Sequence, residues 1–295
     1  MIHVPVLQEE VKSFLTTECP AVFVDATLGA GGHAELLLEA CPKMKLIGID
    51  RDGEIMSLTE KRLAKYGERV LSVRDNYRNL DAALGAAGAE KVDGFLFDLG
   101  VSSLELDSPE RGFSFKYDSP LDMRMDRTQK LTAEDIVNTA DETELADAIF
   151  KYGEERFSRR IAKNICSARA VKRISTTAEL VDIINRSVPP AYRHGRIHPA
   201  TRTFQALRIV VNDELNGLRE ALAKAEGSLN QGGKLAVISF HSLEDRIVKR
   251  FFVEKAKCET PSLKILTKKP VIAGDAERES NPRSRSAKLR VAEKL

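Results

Sequence analysis

The side chains able to do chemistry recur at the ends of apolar runs. Val24-Asp25-Ala26-Thr27-Leu28-Gly29-Ala30-Gly31-Gly32-His33 follows one such run and leads into an amphipathic stretch at 34–40. Glycine reaches positive φ cheaply and lets backbone approach a ligand, and a helix opening behind it offers unpaired N–H groups to an anion. A second acid, Asp50, ends Leu46-Ile47-Gly48-Ile49, about 20 residues on, where a carboxylate can grip ribose hydroxyls. Tyr77 has the shape to lie against a purine ring. Asp98, beside Gly100, can accept a hydrogen bond from an amino group, and His241, after Ser239, can serve as acid or base. Together these point to a nucleoside cofactor with a proton acceptor near it. The plainer alternatives are a glycine turn that packs helix on strand, a packing tyrosine, a capping aspartate and a structural histidine.

Strands must end where these groups lie. Periodicity predicts strands at 21–24, 45–50, 69–73 and 92–98, alternating with helices at 54–66 and 80–84 and preceded by a helix carrying Leu7, Val11, Phe14 and Leu15. Nearly continuous apolar strands with short turns argue an α/β fold with a parallel doubly wound sheet, which binds ligands at the carboxyl ends of its strands. The rhythm breaks between 104 and 212: a loop at 108–126 precedes helical patterns at 133–138, 143–152, 155–170 and 177–187, and another opening at His198. Thr132 with Asp135 and Thr176 with Glu179 have the spacing of helix-start caps. A helix at 212–229 is expected to stop at Gly232-Gly233, before a strand at 235–240, a helix at 243–256 and an antiparallel edge pair at 263–266 and 287–291. The expected division is a sheet domain, 1–104 with 213–295, and an inserted all-α domain, 105–212.

Composition is that of a soluble protein, with 42% hydrophobic and 31% charged residues among 295. No apolar run approaches the about 18 residues of a membrane span and the start lacks a signal pattern, so a cytoplasmic setting is expected. Cys19, Cys41, Cys166 and Cys258 are scattered and read as buried free thiols; no cluster has metal-ligand spacing. Net charge is only +2, yet between 151 and 208 thirteen Lys or Arg face four Asp or Glu, a local +9 that leaves −7 for the rest. Such an excess is the footprint of a polyanion partner.

Blocks along nearly the whole chain resemble one family: His3-Val4-Pro5-Val6-Leu7, Asp25 to His33, Asp98-Leu99-Gly100-Val101-Ser102-Ser103, Arg111-Gly112-Phe113-Ser114-Phe115, Leu121 to Asp126, Tyr152-Gly153-Glu154-Glu155-Arg156, His198 to Gln205, Ser239 to Arg246 and Asn281-Pro282-Arg283. The family is the bacterial S-adenosylmethionine-dependent methyltransferases that modify N4 of a cytidine in small-subunit (16S) ribosomal RNA. The resemblance implies a Rossmann-like class I methyltransferase sheet with a helical insert facing RNA. It implies a site for S-adenosylmethionine made of Gly31, Gly32, His33, Asp50, Tyr77, Asp98 and Glu105. Where that family has Pro-Gln this chain has Leu104-Glu105, and an ionised carboxylate accepts without donating. Asp98 is the expected proton acceptor, with His241 or Ser239 second, and no metal is required. Arg156, Arg159, Arg160, Arg202 and Arg208 are the expected RNA-facing cations, the partner being 16S RNA or the small subunit. Two rivals stand beside this reading: an NAD-dependent oxidoreductase, since Gly29 to Ala34 also fits a dinucleotide turn, and a non-enzymatic RNA-binding protein on a methyltransferase-like fold.

Overall fold

Successive side chains of a strand point to opposite faces, so a strand that is apolar throughout can feed two cores. The central strands here do so. In the computed structural model, which describes residues 4–195 and 197–295, the chain divides into a sheet unit, 1–100 with 215–295, and a helical unit, 101–214.

The first half of the sheet unit runs α1 (Gln8–Leu15), β1 (Val22–Asp25), α2 (Gly32–Ala40), β2 (Lys45–Asp50), α3 (Gly53–Leu63), β3 (Val70–Arg74), α4 (Leu80–Ala86) and β4 (Val92–Asp98). The helical unit follows with α5 (Ser103–Asp107), α6 (Ala133–Thr139), α7 (Glu142–Gly153), α8 (Ser158–Arg169), α9 (Thr177–Ser187), α10 (Pro190–Arg193) and α11 (Ala200–Asn212). The chain then returns through α12 (Glu214–Ser228), β5 (Leu229–Ser239), α13 (Ser242–Lys257), β6 (Leu263–Ile265), α14 (Asp275–Ser280) and β7 (Lys288–Lys294). Strand order is β3-β2-β1-β4-β5-β7-β6, parallel from β3 to β5, with β7 antiparallel to both β5 and β6. This is the Rossmann-like, mostly parallel sheet with an antiparallel C-terminal edge. Order reverses between β1 and β4, where such sheets open a crevice.

Val24, Ile47, Phe95 and Phe97 pack on one face against α4, α12 and α13, while Phe23, Leu46 and Leu96 pack on the other against α1, α2 and α3. The helical unit has a core of its own, built from α6, α7, α8, α9 and α11 around Leu145, Ile161, Leu180 and Phe204. Thr132 with Asp135 and Thr176 with Glu179 form reciprocal caps at the starts of α6 and α9. No described helix is long and apolar enough to cross a membrane.

Three expectations are corrected. Gly232-Gly233 does not stop a helix: α12 ends at Ser228 and both glycines lie inside β5. There Gly232 takes φ +78°, and the register with β4 slips between the Val92–Leu229 and Gly94–Lys234 pairs. Glycine at positive φ accommodates the extra chain of a bulge as readily as it ends a helix. The cysteines are not all buried thiols. Cys19 and Cys41 are joined by a disulfide with Cα atoms 5.5 Å apart, because each follows a helix, α1 and α2, that packs beside the other. Cys166 is half-buried and Cys258 exposed, both as free thiols. Finally, α8 begins at Ser158, not at 155, because the Glu155 carboxylate accepts the Phe157 N–H and ties up the preceding turn.

Candidate active site at the carboxyl ends of the strands

The glycine turn after β1 is held from several sides by backbone and side-chain contacts. Gly31 takes φ +75°, and a Cβ there would meet Thr59 Cγ2 of α3 at 2.8 Å. A Cβ on Gly32 would meet Pro5 Cγ at 2.9 Å, so the N-terminal segment lies directly on the turn. His3, which opens that segment's motif, lies outside the described residues. Arg62 of α3 donates to the Ala30 carbonyl at 2.9 Å while binding Glu35 of α2. Asp50 Oδ2, at the end of β2, accepts the Gly29 N–H at 2.8 Å, and Oδ1 accepts the Asp52 N–H at 2.9 Å. Burial raises the Asp50 carboxyl above its ordinary range against these two hydrogen bonds. A carboxylate offers about four acceptor positions, so two remain for ligand hydroxyls.

Beneath the turn lie three ionisable side chains. Asp25 ends β1, is 1% exposed and accepts the Thr27 N–H through Oδ1 at 3.2 Å. Burial pushes its carboxyl up to about 7, against the attraction of His33 and with Asp98 and Asp50 adding repulsion. His33, in the first turn of α2, is 5% exposed, and its Nε2 lies 3.5 Å from Asp98 Oδ2. Neither ring nitrogen has a hydrogen-bond partner among the described residues, nor does Asp98 Oδ1, which is enclosed although the Asp98 side chain is 26% exposed. Thr27 Oγ1 accepts the Asp98 N–H at 2.6 Å and so locks the ends of β1 and β4 together. The Asp98 carboxylate is therefore placed by its backbone, enclosed on one oxygen and open on the other.

The remaining expected residues are placed differently. Tyr77 begins a short 3₁₀ turn after β3 and meets Phe97 edge-on, ring centroids 6.0 Å apart. His241 caps α13: its Nδ1 accepts the Glu244 N–H at 3.3 Å and its Nε2 lies 3.2 Å from Glu244 Oε1. Glu244 answers by accepting the Phe240 and His241 N–H groups. Ser239 is buried, with its hydroxyl directed to the Lys288 carbonyl. Glu105 belongs to the helical unit, where its carboxylate accepts the Ser102 N–H at 2.7 Å in the cap of α5 and lies 3.8 Å from buried Arg111. The structure thus brings Gly31, Gly32, His33, Asp50 and Asp98 together with Asp25, Thr27, Thr59 and Arg62. Thr27 went unnoticed in the sequence; its signal was its place between Asp25 and the glycines.

These residues suit S-adenosylmethionine. An amino group or sulfonium carries positive charge, and an open carboxylate with one unpartnered enclosed oxygen favours a cation or donor beside it. The spare acceptor capacity of Asp50 matches a ribose.

In the helical unit, Arg156, Arg159 and Arg160 are exposed, the first with its guanidinium 4.8 Å from the Phe157 ring centroid and 5.1 Å from that of Tyr192. Arg208 is committed to a two-pronged pair with Glu214, both contacts 2.9 Å. Arg202 is engaged with the Tyr192 hydroxyl and the Glu154 carbonyl. Exposed His198 stacks on Phe115, centroids 4.6 Å apart, and Phe115 stands edge-on to buried Phe204.

Comparison with known proteins places the chain. It is 53% identical over 292 residues to a ribosomal RNA small subunit methyltransferase H of Trichormus variabilis, covering 99% of this chain and 92% of that one. A protein of the same name from Geobacter sulfurreducens is 51% identical over 307 residues, covering 99% of each. A solved rRNA methylase of Streptococcus thermophilus aligns with a TM-score of 0.44 at 13% identity, over 100% of this chain and 99% of that one. The named relatives are methyltransferases, which supports neither the oxidoreductase nor the non-enzymatic reading. The MraW methylase family model matches residues 1–295, and the chain belongs to that family.

Proposed function

We propose that this member of the family transfers the methyl group of S-adenosylmethionine to the N4 amino group of a cytidine in small-subunit (16S) ribosomal RNA, in the cytoplasm. S-adenosylmethionine supplies an electrophilic sulfonium methyl, and the bonding pair stays on sulfur as the methyl leaves. Gly31, Gly32 and the backbone of His33, in the first turn of α2, hold the methionine end, Asp50 the ribose and Tyr77 the base. Glu105 is assigned to the cap of α5 rather than to the cofactor, since its carboxylate is already used there.

Asp98 is the proton acceptor in this reading. The N4 lone pair of cytosine is delocalised into the ring, so an acceptor on its N–H raises its nucleophilicity as the new bond forms. The observation that carries the assignment is the Asp98 carboxylate, its Oδ1 enclosed without a partner among the described residues, on a strand end whose N–H is held by Thr27 at the switch point of the sheet. His241 acts in the cap of α13 instead. Alignment of nitrogen, methyl and sulfur accounts for the rest of the rate.

The helical unit is the RNA-facing domain in this reading. Its support is the local excess of positive charge, the exposed Arg156, Arg159 and Arg160, and the exposed His198–Phe115 stack, a platform on which an unpaired base can lie. A target base must be splayed out to reach the methyl. The test is methyl transfer to small subunits and to free 16S RNA lacking the modification, the product nucleoside identified by mass. Appearance of N4-methylcytidine is expected; a methylated product of another nucleoside overturns the substrate assignment. Binding is expected to weaken steeply with salt, and a flat response overturns the role of the basic face.

A further inference from the structure

A methyl group arriving on an amine displaces a proton, and in a buried site that proton needs a stable destination. Before transfer the sulfonium is the cation of the site; afterwards the sulfur is neutral and the positive charge has moved to wherever the proton rests. Near Asp98 lies a buried imidazole, that of His33 on α2. Its Nε2 is 3.5 Å from Asp98 Oδ2, and both ring nitrogens lack other partners among the described residues. Imidazole is ordinarily the stronger base of the pair.

We propose that His33 is a positioning residue of the transfer step, taking the substrate proton from Asp98 and holding it beside the Asp98 carboxylate. The inference rests on Asp98 as the acceptor. The N4 proton passes to Asp98 Oδ2 as the N–C bond forms. It then passes to His33 Nε2, whose lone pair forms the new N–H bond, restoring the Asp98 carboxylate and leaving an imidazolium. That cation lies beside Asp98 of β4 and is attracted electrostatically by Asp25 of β1; Asp50 of β2 acts on Asp25 in turn. The start of α2 opposes a cation through its dipole, so the carboxyl groups must outweigh it. Asp25 has no contact assigned to substrate or cofactor in the reading above, and a buried carboxyl opposite an imidazole is a reason for one to be there. Release of product and entry of fresh cofactor return the proton to solvent.

The experiment compares the full chain with His33→Gln, His33→Asn, Asp25→Asn and Asp98→Asn. Single-turnover methyl transfer is followed from pH 5.5 to 9, binding of S-adenosylhomocysteine by calorimetry, and the His33 ring by ¹⁵N NMR in the free protein. Expected are a fall of about tenfold or more in rate for His33→Gln, the low end of proton-transfer contributions, little change in S-adenosylhomocysteine affinity, and a displaced pH profile. Asp25→Asn is expected to displace that profile as well. In the native protein the His33 resonances move on Asp98→Asn, a readout that survives if a His33 variant fails to fold. If Asp98→Asn leaves the rate unchanged, the acceptor reading itself falls. If Asp98→Asn slows transfer but His33→Gln and His33→Asn keep the native rate and pH profile, only the role of His33 falls. Loss of rate matched by equal loss of S-adenosylhomocysteine affinity makes His33 a cofactor contact and overturns the proposal, as does a His33 ring indifferent to Asp98→Asn.

Discussion

The ends of β4 and β5 carry the two residues that the sequence nominates for proton transfer, and the fold treats them in opposite ways. His241 after β5 is consumed by local structure: Nδ1 accepts the Glu244 N–H, and Glu244 closes the cap from its side. Asp98 at the end of β4 is fixed only through its backbone, by Thr27, and its carboxylate is left with an enclosed oxygen lacking a partner among the described residues. A side chain held in its own helix cap is less free to turn to a substrate, whereas a carboxylate positioned only through its backbone is prepared for a ligand. Position on the rim is shared by both; engagement of the side chain in a local cap separates them.

The contrast predicts a graded series. Asp98→Asn removes the acceptor while keeping the shape, and single-turnover transfer is expected to fall about 100-fold or more, within the range for a positioned base; a rate within twofold of native erases the distinction between the strand ends. Gly31→Ala strains a positive φ and drives a Cβ toward Thr59, so urea unfolding is expected to show a loss of about 1–3 kcal/mol. Asp25→Asn tests the buried acid through stability. Folding lifts that carboxyl from an ordinary 3.8 to about 7, so the folded state holds the proton more tightly than the unfolded one. Its ionisation therefore costs stability progressively as pH rises from about 4 to about 7, and the full cost stands above that. The variant, which keeps an acceptor for Thr27, is expected to gain on the native protein across that window and then level off in unfolding midpoints.

His241→Ala is expected to cost about 1 kcal/mol of stability, the usual worth of a helix cap, with single-turnover rate changed far less than by Asp98→Asn. A rate loss as large as that of Asp98→Asn would restore His241 to the chemistry. Glu105→Gln is expected to have the smallest effect, under about 1 kcal/mol in urea unfolding, because an amide can serve the same reciprocal cap; a marked change in S-adenosylhomocysteine affinity would return this position to the cofactor site.

Much of this was legible in the chain. Continuous apolar runs ending in Asp50 and Asp98 set β2 and β4 at 45–50 and 92–98, because period-two burial on both faces leaves little freedom for such segments. Reciprocal caps at Thr132 and Thr176 were readable because their partners lie three residues away. Whatever depended on residues far apart was not readable. Gly232-Gly233 carries the same local signal for a helix stop and for a bulge, and the pairing of β4 with β5 chose the bulge. The cysteine at 19 met that at 41 only because α1 packs beside α2. Arg208 reads as a surface cation until Glu214 is seen to hold it. By itself, then, the sequence determined the elements, the glycine turn and the family blocks, all of which rest on short-range pattern. The tertiary structure decided which polar atoms are already spent and which are left over, because a hydrogen-bond partner from another strand or helix has no trace in local spacing. That choice brought His33 of α2 beside Asp98 of β4, whereas the cap that holds His241 rests on Glu244, three residues on.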